Sequence, residues 1–172
     1  MSQYKRTYIP GGSYFFTLVT HQRNLIINSE ENITILRNAF KKIKITRPFD
    51  LQAIVILPDH LHCIIQLPEN DIDYSNRWRE IKKSVSKQIH PESNARNERP
   101  VWQRRFWEHA IRDEEDWHRH MDYIHYNPVK HGYVKNVKDW PWSSFEKMVE
   151  KGFYDINWGT NEPAGISDME LE

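Results

Sequence analysis

"LQAIVILPDHLHCIIQLP", residues 51–68, consists of two short apolar runs, each closed by a proline, with Pro58-Asp59 between them. Runs rich in β-branched residues and bounded by turn signals are strand material, and the shared turn makes them a hairpin or two neighbouring strands. Both runs are apolar at odd and even positions alike, which suits strands covered on both faces and places them centrally in a sheet. Side chains two apart on a strand point the same way, so His60 and His62 share one face while Leu61 and Cys63 point to the other, into the core.

The flanking segments change period. "GGSYFFTLVTHQR" opens with a turn signal and reads as a first strand over roughly Ser13 to His21. In "ENITILRNAFKKIKITRP", Ile33, Leu36, Phe40, Ile43 and Ile45 fall at helical spacing, with Arg37, Lys41, Lys42 and Lys44 left for solvent. "SNRWREIKKSVSKQIH" starts at a Ser75 cap and sets Trp78, Ile81, Val85 and Ile89 on one stripe before Pro91. "PESNARNERP", residues 91–100, is loop, and "VWQRRFWEHAIR" is strand-like with Val101, Phe106, Trp107, Ala110 and Ile111 as core candidates. A third helix begins near Asp113, where acids match the helix dipole, turns Trp117, Met121 and Ile124 inward, and is kinked or stopped by Pro128. The resulting order is that of an α+β split βαβ layout, an antiparallel sheet with helices packed on one side.

The 172 residues suit one domain, and 38% hydrophobic residues with no apolar run long enough to span a bilayer describe a soluble chain. A single cysteine and an N-terminus without a cleavable apolar stretch imply a reducing, cytoplasmic location. The net charge is zero, yet the distribution is uneven. From Glu150 onward Lys151 is the only base against six acids, which leaves the preceding body mildly basic. The end, "NWGTNEPAGISDMELE", reads as a loosely held acidic tail.

Two imidazoles side by side supply half of a metal site, although two hydrogen-bonded histidines at a strand end would give the same spacing. The third helix offers more. In "DYIHYNPVKHG", Tyr123 and Asn127 lie four apart on one face, with His120 one turn earlier. An amide oxygen and two imidazoles leave part of the coordination sphere of Mg²⁺ or Mn²⁺ open for water or a phosphate oxygen, and a tyrosine beside that opening is a potential nucleophile. A core aromatic with its hydroxyl at the surface is the commoner role for such a tyrosine.

"LPDHLHC" resembles the histidine-hydrophobic-histidine (HUH) motif of single-strand DNA endonucleases, and "DYIHYNPVKHG" resembles the tyrosine helix of IS200-like single-tyrosine transposases. Together with "YFFT", "RWREIKK", "WQRRFWEHAIR" and "DWPWSSF" in this order, the chain is similar to the REP-associated tyrosine transposases from about Tyr4 to Trp158. The resemblance implies a ferredoxin-like fold over residues 1–158, followed by the tail at 159–172. It implies a divalent metal held by His60, His62 and Asn127, and Tyr123 as the attacking residue. It also implies a metal-dependent endonuclease and strand transferase acting on single-stranded DNA beside hairpins from repetitive extragenic palindromes (REPs). Attack by Tyr123 would leave a 5′-phosphotyrosine and a free 3′-OH, and Tyr126, three residues on, is the rival nucleophile.

The bases Arg77, Arg79, Lys82, Lys83, Arg104 and Arg105 alternate with Trp78, Trp102 and Trp107, a pairing that suits phosphates and bases of single strands, while Trp78 and Trp107 taken singly read as core. Lys130 follows the tyrosine helix within reach of a scissile phosphate. The acidic tail can compete with DNA by lying on this basic groove. A non-catalytic hairpin-binding regulator and a zinc hydrolase built on His60, His62 and Asp59 or Glu69 are the rival functions. Monomer and homodimer both remain open, with monomer favoured.

Overall fold

The structure is a computed structural model that describes residues 5–91, 100–169 and 171. The expected loop at 91–100 therefore lies, over 92–99, outside the described residues, as do the acids at 170 and 172. The elements are β1 (Ser13–Val19), α1 (Glu30–Thr46), β2 (Asp50–Ile56), β3 (His60–Gln66), α2 (Tyr74–Ser86), β4 (Trp107–Ala110), α3 (Glu114–Lys130) and a short α4 (Phe145–Glu150). The strands form one antiparallel sheet in the order β2-β3-β1-β4, the split βαβ arrangement of the ferredoxin-like fold.

The helices do not share one side of the sheet, as helix order alone had suggested. Tyr14, Phe16, Leu18, Leu61, Cys63 and Ile65 pack with the apolar stripes of α1 and α2, whereas Phe15, Ala53, Val55 and Ile64 pack with Met121, Tyr123 and Ile124 of α3. Six of the seven β3 residues are buried because both faces are covered. Strand β2, read as central, is an edge strand. Its outer side is closed by residues 142–144, with Ile56 N–H donating to the Trp142 carbonyl (2.8 Å) and Ser144 N–H to that of Ile54 (2.8 Å), so its apolar composition is still sheltered.

Local chemistry fixes the helix starts. Ser29 accepts from Asn32 N–H at α1, Asp113 from Asp116 N–H at α3, and Glu114, Glu115 and Asp116 occupy the first turn of α3. At α2 the cap is Asp73 rather than Ser75, since Asp73 accepts from both the backbone and the side chain of Asn76. Pro128 is tolerated within the last turn of α3, and the helix runs on to Lys130. Ile45, expected on the inner stripe, is 82% exposed, because the stripe of α1 is complete at Ile43.

The tail is docked where its polar composition suggested looseness. The chain turns over Val137 at Gly159, whose φ of +84° and a would-be Cβ contact of 2.5 Å with Val137 require glycine. Beyond it, Ile166 and Met169 are buried against the α3 side of the core, and Arg119 binds the Gly165 carbonyl (2.9 Å) and Asp168 (3.1 Å). The tail thus lies on α3 and not on the basic segments of α2. No helix among the described residues is long and apolar enough to cross a membrane.

Candidate active site

A row of paired residues crosses all four strands on the α3 face: Val55, His62, Thr17 and Trp107. His60 stands two residues before His62, with the rings 4.8 Å apart between centroids and nearly perpendicular at 77°. Hydrogen accounting fixes how both present themselves. The Thr17 hydroxyl has one proton and donates it to the Leu171 carbonyl (2.7 Å), so towards His62 Nδ1, 2.9 Å away, it must accept. His62 therefore carries a proton on Nδ1, and in the neutral ring Nε2 holds the lone pair. His60 Nδ1 lies 2.6 Å from the Asp59 carboxylate, which only accepts, so Nδ1 carries a proton and, in the neutral ring, Nε2 holds the lone pair. That His60 Nε2 is buried with no hydrogen-bond partner, an orphaned polar atom on the α3 face of the sheet.

Asp59 is itself fixed. Burial resists its ionisation, but the hydrogen bond from His60 and the Arg23 guanidinium at 3.0 Å outweigh it and hold the carboxyl at about 2. Gln22 and Arg23 adopt left-handed backbone (φ 53° and 54°), a conformation that costs energy for residues with side chains and that delivers Arg23 onto Asp59. Because Asp59 sits behind His60, it supports that ring and does not join it as a ligand. Glu69, beyond the far end of β3, is roughly 20 Å or more from His60 at about 3.3 Å per residue. The carboxylates of the zinc-hydrolase alternative are thus both misplaced.

Helix α3 brings the tyrosine. The buried Tyr123 ring meets His62 edge-on at 5.2 Å and Phe15 at 6.0 Å. Lys130 Nζ lies 3.4 Å from the Tyr123 hydroxyl and 4.8 Å from its ring centre. Asn127, one turn after Tyr123, is fully buried. Tyr126 points elsewhere, against Trp158 (6.4 Å) and the turn at Gly159. His125 is taken up by Ser144 (2.8 Å), and burial pushes it down to about 3. His120 is pushed down to about 4, again by burial first.

Sequence reading missed a second cluster. His109, Asp116 and His120 present potential ligand atoms within 4.8 Å of one another. Asp116, however, already accepts from His109 Nε2 (2.8 Å), Arg112 N–H (3.0 Å) and Arg112 Nε (3.1 Å), while His120 Nδ1 bonds the Asp116 carbonyl (2.7 Å). A cation would have to displace a guanidinium, so the cluster is a hydrogen-bonded brace. Its signal was present as a histidine on β4 and an acid at N3 of α3, but only the fold shows that they meet.

The basic residues separate into two kinds. Arg79, Lys83, Arg104 and Arg105 are exposed. Arg77, expected at DNA, is 2% exposed and bonds the carbonyls of Pro48 (2.6 Å) and Asp73 (2.7 Å) and the Asp71 carboxylate (2.7 Å); it clamps α2 to the end of α1. Lys82 donates to the carbonyls of Gln103 (2.6 Å) and Arg104 (3.2 Å) and so ties α2 to the segment before β4. Trp78 is core, as read, whereas Trp107 is 37% exposed.

Comparison with known proteins identifies the family. A family model described as "Transposase IS200 like" matches residues 10–126. The chain is 48% identical over 159 residues to the REP-associated tyrosine transposase of Escherichia coli (strain K12), covering 92% of this chain and 91% of that protein. A solved structure of a REP-associated tyrosine transposase bound to a REP hairpin superposes with a TM-score of 0.84 at 45% identity, covering 99% of this chain and 96% of that one. The chain therefore belongs to the IS200-like family of tyrosine transposases, enzymes that cleave and rejoin DNA.

Proposed function

We propose that this chain cuts and rejoins single-stranded DNA beside a REP-type hairpin, using Tyr123 as nucleophile and a divalent cation, Mg²⁺ or Mn²⁺, bound by His60, His62 and Asn127. The observation that carries the reading is the phenol of Tyr123 against His62, with a lysine ammonium 3.4 Å from its oxygen. Such a cation would offset charge on the phosphoryl oxygens. The hydrogen bonds to Asp59 and Thr17 keep the two Nε2 lone pairs turned to it.

Lys130 places positive charge where the phenolic oxygen gives up its proton, and it can follow that oxygen onto the phosphate. In-line attack then forms the Tyr123 Oη–P bond as the P–O3′ bond breaks, leaving a 5′-phosphotyrosine and a 3′-hydroxyl. One phosphodiester replaces another, so a second 3′-OH can reverse the step and join strands. The hairpin bound by the solved relative, together with exposed Arg79, Lys83, Arg104 and Arg105, supports DNA as substrate. The test is incubation with hairpin-bearing single strands and Mn²⁺ or Mg²⁺, followed by denaturing electrophoresis. We expect a covalent protein-DNA band that Tyr123→Phe abolishes and Tyr126→Phe retains. Retention by the first and loss by the second would move the nucleophile, and no band with any metal would leave a hairpin-binding regulator.

A further inference from the structure

The row through His62 and Thr17 ends at Trp107 on edge strand β4. Its neighbour Phe106 packs against Phe16 (5.8 Å) on the other face, whereas Trp107 stands on the α3 face, 37% exposed. The indole meets Phe15 edge-on at 5.8 Å, and Phe15 in turn lies 5.4 Å from His62 and 6.0 Å from Tyr123. Beside it, Trp107 is parallel to His109 (6.1 Å, 5°), and His109 is parallel to His120 (4.6 Å, 15°). Asp116 locks that stack by bonding His109 through its carboxylate and His120 through its carbonyl. The result is a rigid flat ring, two strand spacings or about 10 Å from His62, with its uncovered part facing water. Arg104 and Arg105, both exposed, stand three and two residues before it.

We propose that Trp107 is a stacking platform for a nucleobase adjoining the phosphate attacked by Tyr123, an inference that rests on the reaction proposed above. Single strands offer bare base faces, and a preorganised aromatic ring takes one up with little loss of side-chain freedom. The distance from His62 is the reach of a neighbouring nucleotide, so stacking there would set where along the strand the phosphate lies. The brace of His109, Asp116 and His120 has its use here: it keeps the indole from collapsing onto the sheet.

The test uses the full chain, hairpin-bearing single strands, and Trp107→Leu and Trp107→Phe variants with wild-type thermal midpoints. Single abasic sites are moved through the positions flanking the cut. We expect Trp107→Leu to lower single-turnover cleavage about 10- to 100-fold on intact DNA, with most of the rate restored in Trp107→Phe. With one particular base missing, wild type and Trp107→Leu should cleave alike. A 2-aminopurine at that position should be quenched on binding to the Tyr123→Phe protein and not when Trp107→Leu is added. Equal cleavage by wild type and Trp107→Leu on intact DNA, or a penalty of the same size at every abasic position, would overturn the platform. If wild type gives no covalent adduct the proposed reaction fails, and the quenching measurement alone then decides whether Trp107 stacks on a base.

Discussion

Replacing Thr17 by valine tests the link between the sheet and His62, one of the proposed metal ligands. The side chains are nearly isosteric, so packing is kept and only the hydroxyl is lost. In the native protein that hydroxyl accepts from His62 Nδ1–H (2.9 Å) while donating to the Leu171 carbonyl (2.7 Å). Without it, a fully buried imidazole either keeps an unsatisfied donor, at a cost of about 1–3 kcal/mol, or moves its proton to Nε2, the atom proposed to meet the cation. Either route weakens metal binding, and loss of an outer-shell partner typically costs about 10- to 100-fold in affinity. The assay is covalent adduct formation as a function of Mn²⁺ concentration. The midpoint should rise by that factor in Thr17→Val and return in Thr17→Ser. At saturating Mn²⁺ the rate should match or exceed that of wild type, because the same substitution frees the tail from the row. An unchanged Mn²⁺ midpoint in Thr17→Val would refute the hydrogen accounting.

Ending the chain after Ala164 removes buried Ile166 and Met169 and the Leu171 contact with Thr17 beside His62, and should raise the initial cleavage rate several-fold in adduct assays while gel-shift affinity, carried by basic segments that the tail does not cover, stays the same; an unchanged rate would show that the tail does not shield the row through His62. Arg77→Ala leaves the Pro48 and Asp73 carbonyls without their buried donor and should cost about 1–3 kcal/mol in urea unfolding, with little effect on DNA affinity of the folded protein. Stability should fall on acidification before the carboxylates titrate. His120 (about 4) and His125 (about 3) are depressed by burial from an unfolded value near 6.5, so the unfolded state binds more protons and stability, complete above pH 6.5, declines as pH falls towards 4. Unfolding free energies from urea titrations between pH 6.5 and 5 should follow a slope approaching about 1.4 kcal/mol per pH unit per histidine, reduced in His125→Gln.

Much of this architecture is legible from periodicity. The first-turn acids of α3 and the apolar stripes of α1 up to Ile43 and of α3 at Met121 and Ile124 are local signals, and the structure keeps them. What failed was information held between distant segments. A helix stripe says that a helix packs, not on which sheet face, although β3 itself, apolar on both sides, called for cover on both. Strand β2 read as central because residues 142–144 shield its edge, a contact 90 residues away in sequence for Ile54 and Ser144. Along "RRFWEH" the alternation misled because Glu108 is buried, bonded to Tyr74 and close to Arg6, while the larger apolar Trp107 faces water. Arg77 looked like a DNA contact for a related reason: its carbonyl partners at Pro48 and Asp73 leave no trace in composition. At the site, the spacing of the histidine pair is weak on its own and gains force only together with the tyrosine helix and the other motifs, whereas Thr17, Asp59 and Arg23 behind them carry no such pattern.

The alternation that made His60 and His62 readable also makes their placement robust. A slip of one residue in the pairing of β3 would drive both imidazoles between α1 and α2 and turn Leu61, Cys63 and Ile65 towards α3. Two polar rings would lose Asp59 and Thr17 as partners, at about 1–3 kcal/mol for each unsatisfied group, and three apolar side chains would lose a matched core. The register that satisfies the core is thus the one that aims both Nε2 lone pairs at the Tyr123 side, and no separate device is needed to orient the strand. It follows that apolar substitutions on the α1/α2 face of β3, far from the phenol, should affect the site only when they alter register. A volume-conserving change such as Leu61→Met should leave cleavage intact, whereas inserting a residue between His62 and Cys63 should abolish it even if the sheet still forms.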